Sequence, residues 1–335
     1  MKLGRRARNR IFGELNQFKV FRFNKLAEPN CACVTKHELI KSPQVRDIIV
    51  MYSKGTFDLA SVQMRLLQVA KFILFQNSDI KISALSLRPS NILGIKNSII
   101  VLSKFAAQYI SQTELITLLK NNNSIFVDPV DSVIEISKFN SDCTLIASSF
   151  EQANYFRSST SFPVELIYHS SDLRLKELRA QNDAFAIGYF GNLSRIPSEF
   201  NQLDKLSIIK TPLSYESKRD LPRYALYLKK YSAHLVAGTI PPKHIFKPFT
   251  KGIIAANVGA VSLISEYDVE GIALLGPNYP YIAKDITMKS ILEMIEHMEK
   301  SFMTDKWILA KKLSQNLEPF YCEINLTNSW LRLLA

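Results

Sequence analysis

The sequence predicts an α/β fold in which two domains, each with a parallel sheet, face each other across a cleft and are followed by a helical carboxyl-terminal segment. The chain of 335 residues is about twice as long as a usual single domain. From residue 46 onward, short apolar runs alternate with amphipathic stretches. The alternation stops in a polar stretch at residues 170–183 and starts again at residue 184. Two successive α/β domains are therefore expected.

The first alternation predicts a domain over residues 46–175. Its apolar runs are continuous, as in parallel strands that are buried on both faces. The predicted strands are residues 46–52, 80–85, 98–102, 124–127, 143–147 and 164–168. The predicted helices are residues 59–75, residues 112–120 and a helix that begins at Phe150.

The second alternation predicts a ligand-binding domain over residues 184–300. Its predicted strands are residues 184–191, 205–209, 234–237 and 260–264, and its predicted helices are residues 219–230 and 250–257. The chain is mostly helical from residue 286, and residues 301–335 are expected to pack back across both domains. Open α/β sheets bind ligands at the carboxyl ends of their strands, so the predicted site is the cleft between the domains.

The composition is that of a globular protein, with 47% hydrophobic and 21% charged residues. No apolar run approaches the roughly 18–20 residues that cross a bilayer. The four cysteines contain no CxxC pair, which favours reduced thiols in the cytosol. Cys31 and Cys33 as metal ligands are the alternative, but no second pair accompanies them. Motifs of P-loop NTPases, dinucleotide oxidoreductases, zincins and α/β-hydrolases are absent from the sequence.

The net charge of +12 is concentrated at the amino terminus, where residues 1–30 hold eight basic and two acidic residues. We treat residues 1–45 as a basic amphipathic segment. Polar residues interrupt the apolar residues of 11–23, so a continuous signal-peptide core is missing. Apolar residues at helical spacing, flanked by cations, predict attachment to an anionic membrane surface, and hence a cytoplasmic, peripheral protein at the inner face of the plasma membrane. A basic tail that packs on its own protein or is partly disordered remains the alternative.

Three stretches resemble the GT-B glycosyltransferases, two-domain enzymes that transfer a sugar from a nucleotide donor. Residues 146–150 with 164–169 look like the last βαβ unit of a GT-B amino-terminal domain, and residues 187–192 are similar to the first strand and glycine turn of a donor domain. The most specific stretch is Lys247-Pro248-Phe249-Thr250-Lys251, followed by Ala255, Gly259 and Val261. It resembles the donor-site helix of family 4-like enzymes of surface-polysaccharide or lipopolysaccharide assembly. The resemblance implies two Rossmann-like domains, an acceptor-side domain over residues 46–175 and a nucleotide-sugar-binding domain over residues 184–300.

The sequence departs from family 4 at one motif. Retaining members commonly carry two glutamates, where this chain has Phe246 and Ile254. The stereochemistry of the family therefore cannot be carried over.

The donor-binding residues expected from the resemblance are Gly191, Asn192, Lys247, Thr250 and Lys251. A helix that starts near Thr250 offers backbone N–H groups and the positive end of its dipole to a diphosphate, and the two lysines add cations. Gly191 permits close backbone approach, and the Asn192 side chain can donate a hydrogen bond. A solvated helix face for the lysines and an ordinary turn glycine are the alternatives.

Transfer with inversion needs a general base on the acceptor side. Asp131, in Asp128-Pro129-Val130-Asp131 after a predicted strand, is the first candidate, with a turn-capping role as its alternative. Asp58 is next, although a helix N-cap would already explain it. His169 is third, with a structural role as its alternative. Arg88 is the candidate for contacting an anionic acceptor.

The resemblance implies a metal-independent glycosyltransferase of bacterial-type envelope polysaccharide synthesis. Its partners would be a nucleotide-sugar donor, a glycan or lipid-linked acceptor and an anionic membrane surface. No metal or other cofactor is expected. A non-catalytic α/β scaffold and a basic nucleic-acid-binding protein remain as alternatives; dispersed cations and the lack of an RNA-binding or zinc-finger motif disfavour the latter.

Overall fold

The computed structural model describes residues 46–76, 80–132, 134–180, 183–211, 215, 221–238 and 246–334. All of them belong to one compact unit. The predictions for residues 1–45, including Cys31 and Cys33, lie outside the described residues. Within those residues, Cys143 and Cys322 are buried free thiols. No helix in this part of the chain is both long and apolar enough to cross a bilayer.

The first sheet has six parallel strands in the order β2-β1-β3-β4-β5-β6. These strands are β1 (Ile48–Tyr52), β2 (Ile82–Ser86), β3 (Ile99–Leu102), β4 (Ser124–Val127), β5 (Cys143–Ala147) and β6 (Val164–Leu166). Every residue of β3 is buried, as its unbroken apolar run predicts. Aliphatic clusters cover both faces of this sheet.

The helices of this half follow their strands as βα units. They are α1 (Ala60–Val62, a π-helical stretch Gln63–Leu67, and Gln68–Gln76), α2 (Pro89–Ile92), α3 (Lys104–Tyr109), α4 (Gln112–Lys120) and α5 (Phe150–Ser159). A capping box of Ser111 and Glu114 starts α4. The π-helical stretch buries Gln63 and Arg65, two polar side chains that an ordinary core helix would not carry inward.

The second sheet has five parallel strands in the order β11-β10-β9-β7-β8. Its strands are β7 (Ile187–Gly191), β8 (Leu206–Lys210), β9 (Ala233–Leu235), β10 (Val261–Ser265) and β11 (Ile282–Ala283). Its helices are α6 (Ala225–Leu228), α7 (Thr250–Asn257) and α8 (Val269–Leu275). The two-sheet architecture confirms the predicted fold class.

Three carboxyl-terminal helices complete the fold: α9 (Met288–Lys300), α10 (Asp305–Gln315) and α11 (Glu323–Leu334). Trp307 of α10 is buried in the core of the second sheet. Trp330 and Leu334 of α11 instead pack into the core of the first sheet. The end of the chain therefore returns to the first half.

One predicted helix is much shorter in the structure. Of residues 219–230, only Ala225–Leu228 are α-helical among the described positions. The amides of Lys230 and Tyr231 donate to the carbonyls of Tyr227 and Leu228, three residues back, which tightens the turn and ends the helix.

Candidate active site

The carboxyl ends of both sheets open on a common cleft. A cavity of about 350 Å³, the cleft cavity, lies there between residues that follow β4 and β6 of the first sheet and β7, β9 and β10 of the second. The acidic, basic and histidine side chains that line it are Asp131, Glu151, His169, Arg195, Lys247, Lys251, Asp268 and Glu270. This is where ligands bind in open α/β sheets.

Asp131 lies on the first-domain wall of the cleft between two lysines. The Lys104 Nζ atom is 2.6 Å from Asp131 Oδ1, and Lys247 Nζ pairs with Asp131 Oδ2. Burial raises the pKa of Asp131, but the two cations outweigh it and lower that pKa to about 2. The group is therefore a carboxylate throughout the physiological range.

His169 lines the same cavity and is buried, with its Nδ1 atom 2.9 Å from the Ser170 carbonyl oxygen. Burial, followed by the cation of Arg65, lowers the pKa of His169 to about 4. The imidazole is therefore neutral at pH 7.

The amino end of α7 faces the cleft from the second domain. No side chain caps this end of the helix. Lys251 is not a solvated lysine: its Nζ atom lies 3.0 Å from Tyr189 Oη and 4.2 Å from the centre of the Tyr189 ring. Burial, helped by the cations Arg195 and Lys247, lowers the pKa of Lys251 to about 8. Because desolvation and like charges oppose its positive charge, this lysine gains strongly from an incoming anion.

Gly191 ends β7 beside Lys251. A Cβ atom at this position would lie 2.7 Å from Tyr189 Oη and 3.1 Å from Lys251 Cε, so only glycine fits here without a shift of these side chains. Asn192 is exposed, and its side chain accepts a hydrogen bond from the amide of Ser194. Asn192 thus caps the short helix that carries Arg195 into the cleft.

Glu270 is a functional candidate that sequence reasoning missed. It is 4% exposed at the start of α8, where its Oε2 atom accepts from Tyr168 Oη at 2.5 Å and its Oε1 atom from the Glu151 amide at 2.6 Å. Both donors belong to the first half of the chain. Burial and the charge of Glu270 raise the pKa of Glu151. The only sequence signal was an acidic residue in the first turn of a helix, which the helix dipole already explains.

A second cavity of about 230 Å³, the aromatic cavity, adjoins the first and shares Thr250 and Lys251 with it. Its aromatic lining is Phe190, Tyr215, Tyr224 and His234. Asp172 and Arg174 form an ion pair of 2.6 Å at its edge. The Arg174 guanidinium lies 4.0 Å from the centre of the Tyr215 ring. The cavity combines flat apolar walls with a few polar groups, which suits a planar ring with polar edges.

Three predicted residues line neither cavity: Asn192, Asp58 and Arg88. Asp58 is exposed, and its carbonyl oxygen accepts from the Tyr215 amide. The N-cap of α1 is Leu59, the residue after Asp58, so the alternative that Asp58 is the N-cap is wrong. Arg88 is half-buried at the N-cap of α2, beyond the end of β2. All three roles remain predictions.

The described residues contain no group of three or more His, Cys, Asp or Glu side chains that could hold a metal ion. The cations that face the cleft belong to the protein itself, namely Arg195, Lys247 and Lys251.

The fold matches solved structures, whereas comparisons with family models and curated proteins find no match. A glycosyltransferase from Rickettsia africae superposes with a TM-score of 0.58 at 9% identity, covering 87% of this chain and 98% of that one. HepE of Anabaena, in complex with UDP and glucose, superposes with a TM-score of 0.53 at 11% identity, covering 86% of this chain and 99% of that one. HepE is also known in complex with UDP-glucose.

The chain therefore has the GT-B-like fold of these structures, over nearly their whole length. Two parallel sheets face a cleft that is lined by acidic side chains from both halves of the chain and by cations beside a helix amino end of the second half. At 9% and 11% sequence identity, this similarity shows the fold alone.

Proposed function

We propose that this protein is a glycosyltransferase that moves a sugar from a nucleotide-sugar donor to a glycan or lipid-linked acceptor. The observation that carries the proposal is the position of Lys251. It lies at the uncapped amino end of α7, where the cleft cavity meets the aromatic cavity. A nucleotide sugar has the matching order of parts, with an aromatic base and a polar sugar on either side of a diphosphate.

The diphosphate is placed at the start of α7. Lys247, Lys251 and Arg195 provide positive charge there, and the helix adds N–H groups and its dipole. The charge on the leaving phosphate grows as the glycosidic bond breaks, so these groups stabilise the transition state more than the bound donor. These side chains supply the positive charge that a bound metal ion would otherwise bring to the leaving phosphate. We therefore propose that the transfer is metal-independent.

The base of the donor is placed in the aromatic cavity and its sugar in the cleft cavity. Phe190 and Tyr215 supply aromatic side chains against which a base can pack. HepE is seen with UDP-glucose. UDP-sugars are therefore the first donors to test.

The acceptor enters along the first-domain wall, where Asp131 is the proposed base. His169, neutral at pH 7, is the second candidate. The remaining parts of the proposal are envelope polysaccharide synthesis as the process and attachment to the inner membrane surface through residues 1–45, supported by the basic charge of that segment.

A thermal-shift screen of UDP-, GDP-, CMP- and dTDP-sugars, followed by assays of slow sugar release, tests the proposal. A ligand at about 100 times its Kd adds about 2.7 kcal/mol to the free energy of unfolding. We expect one nucleotide class to raise the melting temperature and to be hydrolysed slowly.

Lys251→Ala should show a smaller response at the same donor concentration, whereas Lys230→Ala, a change at an exposed lysine outside both cavities, should respond like wild type. No response to any donor, or stabilisation by a nucleic acid alone, would contradict the proposal and favour a scaffold or a nucleic-acid-binding protein.

A further inference from the structure

Asp131 is held in place by a strained turn. Val130, the residue before it, has a φ of 58°, a left-handed conformation that is costly for a β-branched side chain. Its amide donates to Asp128 Oδ1 at 3.1 Å, and the Ser148 hydroxyl donates to its carbonyl oxygen. Such strain persists where the surrounding structure enforces it, and it clusters at functional sites. The turn presents Asp131 to the cleft.

The two lysines on Asp131 come from different halves of the molecule. Lys104 belongs to α3 of the first domain and does not line the cleft cavity. Lys247 lies just before the start of α7, where we place the donor diphosphate. Its side chain is 40% exposed. Lys247 therefore has two competing anions within reach, Asp131 and the incoming phosphate.

We infer that Lys247 couples donor binding to the base, because it neutralises Asp131 in the free protein and moves to the donor diphosphate when the donor binds. This inference rests on the proposed function. A diphosphate carries more charge than one carboxylate, so it competes well for the exposed lysine. Asp131 then remains paired with Lys104 only.

The exchange changes the strength of the base. In the free protein, burial opposes but does not overcome the two lysines, and the pKa of Asp131 is about 2, too low for efficient proton abstraction at neutral pH. Loss of Lys247 and arrival of donor phosphates both raise that pKa. His169, which lines the same cavity as Asp131 and interacts with it, is neutral at pH 7. The carboxylate thus becomes a stronger base only when a donor is present.

The transfer step then balances without another reactant. The acceptor hydroxyl gives its proton to Asp131 while its oxygen bonds to the anomeric carbon. The bond from that carbon to the phosphate oxygen breaks, and its electron pair leaves with the nucleoside diphosphate. Asp131 later returns the proton to solvent. Donor binding precedes productive acceptor binding in this scheme.

Carboxyl carbon NMR of the full chain tests the inference, with UDP as the probe and Asp131→Asn to assign the signal. Between pH 7 and pH 4 the Asp131 signal of the free protein should not move. With saturating UDP, the pKa should rise by roughly 2 to 3, so that the signal moves as the pH approaches 4. UDP binding is measured independently by thermal shift.

Two matched variants separate the lysines. Lys247→Gln should raise the pKa of Asp131 in the free protein and remove most of its further response to UDP. Lys104→Gln should raise that pKa as well but keep the response, and Lys247→Arg, which preserves the ion pair, should behave as wild type.

If UDP stabilises the protein while the Asp131 signal stays unmoved, or if Lys247→Gln responds like wild type, the coupling is wrong and the proposed function stands. If neither UDP nor any nucleotide sugar stabilises the protein, the proposed function fails and the coupling fails with it.

Discussion

Tyr168 donates a hydrogen bond of 2.5 Å from its hydroxyl to Glu270 Oε2, between residues 102 positions apart in the chain. Tyr168 follows β6 of the first sheet. Glu270 lies in the first turn of α8, the helix that follows β10 of the second sheet. The same carboxylate accepts from the Glu151 amide, so one buried acid links the two halves of the fold beside the cleft.

Tyr168→Phe should destabilise the protein. It removes a hydrogen bond to a buried carboxylate, for which a loss of about 1–3 kcal/mol in the free energy of unfolding is expected. Tyr227→Phe, at an exposed tyrosine, is the control and should change stability by less than about 0.5 kcal/mol. Thermal melts of both variants at pH 7 measure the difference, and equal melting temperatures would show that the link contributes nothing.

His234 should make stability depend on pH. It is 3% exposed in β9, and burial lowers its pKa to about 4. The unfolded chain binds this proton near pH 6.5, so between pH 6.5 and pH 4 the unfolded state holds more protons than the folded state. The contribution of His234 is complete above pH 6.5 and is lost as the pH falls, by up to about 3 kcal/mol.

The measurement is the difference in melting temperature between wild type and His234→Asn at pH 7 and at pH 5. The melting temperature of wild type relative to that of the variant should be lower at pH 5 than at pH 7. A difference that does not change with pH would mean that the imidazole is not held neutral. Comparison with the variant matters because buried acids such as Asp268, whose pKa burial raises, act in the opposite direction.

Gly191→Ala should destabilise the fold by about 1–3 kcal/mol, the usual range for overpacking. The new methyl group would meet Tyr189 Oη at 2.7 Å. Gly94→Ala is the matched control, because its methyl group finds only the Asn91 carbonyl oxygen at 3.8 Å. Chemical unfolding of both variants gives the comparison. If Gly191→Ala is as stable as Gly94→Ala, the close approach of Lys251 and Tyr189 to β7 does not require glycine.

Much of the fold could be predicted because parallel strands buried on both faces leave unbroken apolar runs. Ser124–Val127 and Cys143–Ala147 have the predicted bounds, as does the helix Thr250–Asn257. The short helix Lys104–Tyr109 was missed, because six residues give too little periodicity to separate it from a loop.

The candidate site was predictable only in part. The position of Asp131 and Lys247 at the cleft follows from strand ends and a helix start, which are local signals. Their ion pair joins residues 116 positions apart, and no local pattern reports such a contact. For the same reason the sequence gave no specific signal for the roles of Glu270 and Lys104, since these roles depend on partners brought together by the fold. The depressed pKa of Lys251 likewise depends on burial that the sequence does not display.

The central claim is that Lys251 binds the diphosphate of a nucleotide-sugar donor, and titration calorimetry with UDP tests it most directly. Wild type and Lys230→Ala should bind UDP with the same Kd. Lys251→Met should bind it more weakly by about 1–3 kcal/mol, or roughly 5- to 150-fold in Kd. Its own folding should not suffer, because burial opposes the charge of this lysine and lowers its pKa to about 8. A Lys251→Met protein that is folded and binds UDP as tightly as wild type would contradict the account.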